Sequence, residues 1–78
     1  MTEEEALGWV ARLFEEEPGQ VTAEMRQEDI AAWDSLGVLR VVAGLDSDFG
    51  IQISDDEVQG LRAVDDILKI LRSRGTLN

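Results

Sequence analysis

One serine of the chain, Ser35, lies between an acidic and an apolar residue in the run Asp34-Ser35-Leu36, at the predicted start of a helix. A phosphate ester on this side chain would meet the unpaired amides and the positive end of the helix dipole. A helix start also leaves the hydroxyl accessible beside the preceding loop, where a modifying enzyme could reach it. The simpler alternative is that Asp34 and Ser35 only cap the helix, as these residue types commonly do.

A second possible chemistry is calcium binding in the acidic stretch 46–57. Potential oxygen ligands recur there at the spacing of an EF-hand loop: Asp46, Asp48, Gly50, Gln52, Ser54 and Glu57. Such a loop needs a glycine at the sharp turn in its middle. Here Ile51 occupies that place and the glycine comes one residue early, so we predict no metal site.

The composition excludes several catalytic systems. The 78 residues include no His and no Cys, so a Ser–His or Cys nucleophile system and the usual zinc site cannot be built. The 17 acidic residues include adjacent pairs, but no pair lies beside a recognisable base or nucleophile. We therefore predict no catalytic residues and no enzymatic activity.

The charge balance indicates which partners to expect. Seven basic residues against 17 acidic ones give a net charge of −10, which disfavours nucleic acid and acidic membrane surfaces. Basic surfaces of other proteins are the expected partners, because opposite charge speeds their encounter. The apolar runs are too short to cross a membrane, and the acidic N-terminus is unlike a secretion signal. We expect a monomeric, cytoplasmic protein without membrane insertion.

Capping signals and apolar periodicity predict an all-α fold within a single domain, residues 1–78. The fold would be a small four-helix bundle, with three longer helices, one short helix and a long loop between the first and second. Thr2 and Glu5 form a capping box at the start of the first helix, and Pro18-Gly19 stops it. Residues 20–33 are predicted to be an ordered loop with at most one helical turn.

The remaining helices follow from similar signals. The second runs from its Asp34 cap to about Phe49 and ends at Gly50. More than half of its circumference is apolar, so the helix is either buried on two sides or carries an exposed docking strip. A capping box at Ser54 opens the short helix, which Gly60 ends. The last helix runs from Val64 to Arg74.

These features together resemble the acyl carrier protein family. The resemblance rests on Asp34-Ser35-Leu36, the apolar helix to Phe49, the Gly50-Ile51-Gln52-Ile53 run, the acidic residues 55–57 and the closing helix. The spacing from the serine to the acidic residues looks the same as in that family, without gaps. The resemblance covers nearly the whole chain, most clearly residues 30–74.

The resemblance implies a covalent cofactor and a set of partner enzymes. Members of the family carry 4′-phosphopantetheine as a phosphodiester on the serine of this motif, here Ser35. A phosphopantetheinyl transferase attaches the arm from coenzyme A, and its thiol holds an acyl or aminoacyl group as a thioester. Loading ligases and downstream synthases or transferases are the other implied partners. The carrier itself catalyses no reaction.

The resemblance also makes the second helix the surface that partners recognise. The residues implied in recognition lie in or next to it: Asp34, Leu36, Leu39, Arg40, Ala43 and Asp46. Asp34 and Leu36 would contact the transferase. The inward set, Val41, Leu45 and Phe49, would form core and could line a space for cargo.

Two positions depart from the pattern of fatty-acid-synthesis carriers. Gly37 and Arg40 stand where those carriers have acidic residues. A cation here weakens docking on uniformly basic partners, which favours a free-standing carrier of a specialised or secondary-metabolic pathway. Arg40 would contact a partner or pair with a local acid such as Asp46. The alternative to a carrier is an unmodified acidic helical adaptor that binds a basic protein through this helix.

Overall fold

Four α-helices connected by loops make up the chain, as a computed structural model covering residues 1–78 shows. The predicted all-α bundle of three longer helices and one short one is confirmed. The only β-type pairing is an isolated bridge between Arg26 and Ala63. The helices, in order, are α1 (Glu3–Leu13), α2 (Ser35–Phe49), α3 (Asp55–Gln59) and α4 (Val64–Ser73).

Helix α1 begins as predicted but ends earlier than predicted. The Thr2 hydroxyl accepts a hydrogen bond from the Glu5 amide, and the Glu5 carboxylate accepts one from the Thr2 amide. The helix ends at Leu13, so Pro18-Gly19 does not stop it. Instead, Glu15 adopts a left-handed conformation (φ 58°), and the Glu16 amide bonds back to the carbonyl of Ala11 at 2.8 Å. This arrangement closes the helix before the proline is reached.

The long connection between α1 and α2 is ordered, as predicted, and contains two 3₁₀ turns, at Pro18–Gln20 and Gln27–Asp29. Val21 and Ile30 anchor it, because each is only 3% exposed. Its backbone also bonds to the segment between α3 and α4 and to the first residue of α4. The Gln27 amide donates to the Arg62 carbonyl at 2.8 Å, and the Val64 amide donates to the Met25 carbonyl at 2.9 Å. The connection is therefore held by both burial and hydrogen bonds.

The ends of the other helices agree with the sequence signals. Gly50 (φ 67°) ends α2 and Gly75 (φ 80°) follows α4, both in the left-handed conformation that glycine adopts without strain. The predicted capping box at the start of α3 is formed by Ser54 and Glu57. Helix α4 ends at Ser73, one residue before the predicted end.

The core is a single cluster of 18 buried apolar residues drawn from α1, α2, α4 and the loops. Val41 and Leu45 of α2 are fully buried, as expected of its inward side. Phe49 is only half-buried and packs against Trp9, with 4.9 Å between ring centroids. No helix is both long and apolar enough to span a membrane.

Candidate functional site

Ser35 is the first residue of α2, and its side chain is exposed. Asp34 is the N-cap residue, and its Oδ1 accepts a hydrogen bond from the Gly37 amide at 3.0 Å. The amides of Ser35 and Leu36 have no hydrogen-bond partner within the protein. The helix start therefore combines an accessible hydroxyl with two free N–H groups and the positive end of the dipole.

The residue before the cap is fixed from three sides. Trp33 is 3% exposed and stacks on Phe14, with 5.0 Å between ring centroids. Its amide donates to the Ile30 carbonyl at 3.1 Å, and its carbonyl accepts from the Gln27 side-chain amide at 3.1 Å. These contacts fix the end of the loop and so determine the positions of Asp34 and Ser35.

Gly37 allows the loop backbone to pass directly against the first turn of α2. A Cβ atom at this position would lie 2.2 Å from the carbonyl oxygen of Ala32, so any side chain would force the backbone to move. The sequence offered no sign of this role. Although Ala32 is close to Gly37 along the chain, their contact depends on the path of the loop. Gly37 is thus a positioning element of the Ser35 turn.

The six residues predicted for partner recognition lie together on or beside the outer side of α2. Leu36 and Leu39 are 57% and 62% exposed, unusual values for large apolar residues. Ala43 and Asp46 are also exposed, Asp34 caps the same helix, and Arg40 is half-buried on its flank. The exposed line Leu36, Leu39 and Ala43 is called the docking strip, after the partner-recognition role predicted for it. Of the two arrangements expected for α2, the structure has the exposed strip.

Arg40 forms an ion pair that the sequence did not predict. Its Nη1 lies 3.4 Å from Oε1 of Glu15, on the loop after α1, rather than pairing with Asp46. Glu15 was missed because no sequence signal places a left-handed glutamate there. The pair lies at one side of a surface depression of about 420 Å³ between α1 and α2.

The inner side of α2 packs closely on α1 around Gly44. A Cβ atom there would lie 2.9 Å from Cδ2 of Leu13 and 3.2 Å from Cζ2 of Trp9. Two surface depressions occur, and neither is lined by Ser35, Val41 or Leu45. The inward side of α2 is therefore packed core in this structure rather than the wall of a cargo space.

Asp46 and Asp48, considered above as calcium ligands, both lie in α2. Oδ2 of Asp48 accepts a hydrogen bond from the Trp9 indole at 2.8 Å. No group of three or more acidic side chains is arranged to hold a metal ion. These acids belong to the helix surface and its contact with α1.

The chain is similar over most of its length to curated acyl carrier proteins. The acyl carrier protein of Myxococcus xanthus is 32% identical over 74 residues, covering 90% of this chain and 94% of that protein. That of Micrococcus luteus is also 32% identical over 74 residues, covering 90% and 91%. No protein-family model matches the chain.

A second group of relatives carries a more specific name. The meromycolate extension acyl carrier protein of Mycobacterium leprae is 29% identical over 76 residues, covering 92% of this chain. The chain spans about two thirds of that protein's length, since the match covers 66% of it.

Proposed function

The chain belongs to the acyl carrier protein family, and on that premise we propose that it carries acyl or aminoacyl groups as thioesters on a 4′-phosphopantetheine arm attached to Ser35. The observation that carries the proposal is the position of Ser35, exposed at the first residue of α2. Members of this family are carriers rather than catalysts. We likewise assign no catalytic residue to this chain.

The residues around Ser35 fit a phosphodiester. The free amides of Ser35 and Leu36 can donate to its oxygens, and the helix dipole favours a negative charge there. The carboxylate of the preceding residue, Asp34, is already engaged through Oδ1 by the Gly37 amide. That hydrogen bond keeps the cap formed while the neighbouring hydroxyl stays accessible.

Attachment would be carried out by a phosphopantetheinyl transferase. The Ser35 hydroxyl loses its proton and forms a bond to the phosphorus that bears the pantetheine of coenzyme A. The bond from that phosphorus to the nucleotide half breaks, and the nucleotide leaves with the electron pair. When bound, the arm supplies the thiol that a cysteine-free chain lacks. The chain's own contribution is to present the hydroxyl and to dock the enzyme.

Docking would use the strip on α2 and the charges around it. Leu36, Leu39 and Ala43 offer an apolar surface that a partner can cover, and burial of exposed leucines is favourable in water. Asp34 and Asp46 supply negative charge in and beside the same helix. Loading ligases and downstream synthases or transferases would bind this face in turn. The single domain would span residues 1–78 and act as a monomer in the cytoplasm.

We propose a specialised or secondary-metabolic pathway because of Arg40. The relatives include carriers named for meromycolate extension and carriers without a pathway in their name, at identities of 29% and 32%. Those values are too close to select a pathway. Even when paired with Glu15, Arg40 gives this part of α2 none of the negative charge that an acidic residue would supply, so uniformly basic partners are attracted less strongly. Arg40→Glu should therefore speed acylation by a fatty-acid-synthesis enzyme and slow it by the native ligase, whereas equal rates would contradict this assignment.

The carrier function is tested by intact-mass measurement. The purified chain is incubated with coenzyme A and a broad-specificity phosphopantetheinyl transferase, beside the variants Ser35→Ala and Ser47→Ala. Ser47 is an exposed serine in the same helix and serves as the matched control. We expect one arm on the wild type and on Ser47→Ala, and none on Ser35→Ala. A folded wild type that gains no arm would favour the acidic adaptor instead.

A further inference from the structure

Glu15 has a backbone conformation that its residue type disfavours. It is the one non-glycine residue with positive φ, at 58°, just after the end of α1. In this conformation Cβ crowds the following carbonyl oxygen, a conflict that glycine avoids, and glycine is the usual residue at this place after a helix. Glycine would be more stable than glutamate at this position. The presence of glutamate there suggests that its side chain has a function.

The Glu15 carboxylate contacts the recognition helix. Its Oε1 lies 3.4 Å from Nη1 of Arg40, which is the single cation of α2. Arg40 is more enclosed than Glu15, with side-chain exposures of 37% and 74%. The following glutamates, Glu16 and Glu17, form no ion pair. Of the three consecutive glutamates, the left-handed turn therefore brings only Glu15 into contact with the Arg40 guanidinium.

The pair lies where charge affects docking. Arg40 follows Leu39 directly and is half-buried on the flank of the docking strip. A chain of net charge −10 is attracted most strongly by basic surfaces. An unpaired cation on the flank of the strip would repel such a surface, whereas a paired one contributes little net charge.

We propose that Glu15 is a positioning residue for partner recognition, which holds and neutralises Arg40 so that the α2 face remains acceptable to basic surfaces of partner enzymes. The inference rests on the proposed carrier function, because it assigns Glu15 a part in the docking that this function requires. Glu15 acts through Arg40 and is not required to touch the arm or the cargo.

The experiment measures kcat and KM for modification of the chain by a transferase whose carrier-binding surface is basic. Glu15→Gln should raise KM about two- to fivefold with little change in kcat, the range expected for one surface ion pair. Glu15→Gly should raise KM similarly and yet raise the melting temperature, because it relieves the left-handed strain. If Glu15 had a purely structural role, KM would rise only in a variant whose melting temperature falls.

A double-mutant cycle identifies Arg40 as the residue through which Glu15 acts. In an Arg40→Gln background, Glu15→Gln should change KM no more than Glu16→Gln does, since the cation is already gone. Glu16→Gln is the matched control, because it removes the same charge one residue away without breaking an ion pair. The inference is overturned if Glu15→Gln and Glu16→Gln give equal KM values, or if the Glu15 effect persists without Arg40. A wild type that takes up no arm would instead refute the carrier function, and the inference with it.

Discussion

The indole Nε1 of Trp9 donates a hydrogen bond to Oδ2 of Asp48 at 2.8 Å, which ties α1 to the C-terminal half of α2. Trp9 as a residue is only 5% exposed, and its ring packs against Phe49. Gly44 lets the two helices approach at this point, as the 3.2 Å distance from its hypothetical Cβ to the Trp9 ring shows. The C-terminal end of α2 is therefore held by a polar contact as well as by packing.

Removing the Asp48 carboxylate should destabilise the fold. Asp48→Ala leaves the Trp9 N–H without its partner in a partly buried place, which costs about 1–3 kcal/mol. Asp46→Ala is the control, because that exposed acid lies in the same helix and forms no hydrogen bond or ion pair through its side chain. Urea unfolding of both variants measures the difference. Equal stabilities would mean that the Trp9–Asp48 bond contributes nothing.

Glycine-to-alanine substitutions should have opposite effects at two helix positions. Gly37→Ala places a Cβ against the Ala32 carbonyl, and the resulting overpacking should cost about 1–3 kcal/mol in spite of the better helix propensity of alanine. Gly8→Ala in α1 meets nothing within 4 Å and should stabilise the fold by about 0.5–1 kcal/mol. Thermal or urea unfolding tests both. A Gly37→Ala variant as stable as Gly8→Ala would contradict the close loop passage under the Ser35 turn.

Two leucines of α2 should separate stability from docking. Leu45 is fully buried, so Leu45→Ala should cost about 2–5 kcal/mol and could unfold so small a domain. Leu39 is 62% exposed, so Leu39→Ala should change stability by less than about 0.5 kcal/mol. The same Leu39 variant should raise KM for the transferase, since it shortens the docking strip. Native-like melting of Leu45→Ala, or unfolding of Leu39→Ala, would mean that the inward and outward sides of α2 are wrongly assigned.

The capping glutamate of α3 should make stability sensitive to acid. The Ser54 backbone amide bonds to the Glu57 carboxylate, and this contact, with lesser help from Arg74, lowers the pKa of Glu57 below its ordinary 4.5. As pH falls through 4.5, the unfolded chain takes up the proton first. The stabilisation is therefore complete above that pH and is lost as pH falls through the lowered folded-state pKa.

The acid sensitivity is measured by comparing melting temperatures from neutral pH to below 4.5 for the wild type and Glu57→Gln. Glutamine also suits a capping box, so the variant should fold but lose less stability on acidification. Glu24→Gln is the control, because Glu24 is exposed and forms no ion pair. Equal acid dependence in wild type and Glu57→Gln would show that the cap does not contribute to it.

Much of the fold could be predicted from the sequence because local signals fix most helix ends. The left-handed glycines at 50 and 75 and the capping boxes at Thr2 and Ser54 act over a few residues, so they can be recognised in sequence. The end of α1 was predicted wrongly because no local sequence signal marks where the helix stops. Glu15 takes a conformation that its residue type disfavours, whereas Pro18-Gly19 gives a strong stop signal that the chain does not need.

The candidate site was predictable in part. The start of α2 at Ser35 follows from the capping signal of Asp34. The exposure of Leu36 and Leu39 was implied only by the family resemblance, because helical spacing allowed α2 to be either buried on two sides or partly exposed. The partner of Arg40 could not be predicted, because Glu15 is 25 residues away and reaches it only through tertiary folding. The passage of the Ala32 carbonyl against Gly37 depends likewise on the path of the loop.

Trypsin digestion followed by mass spectrometry shows which residue of the chain carries the arm. Cleavage after Arg26 and Arg40 releases residues 27–40, a peptide in which Ser35 is the only hydroxyl-bearing residue. Attachment at Ser35 predicts that this peptide carries the whole mass of one phosphopantetheine arm and that residues 41–62, with Ser47 and Ser54, carry none. An unmodified 27–40 peptide from a fully modified chain would contradict it.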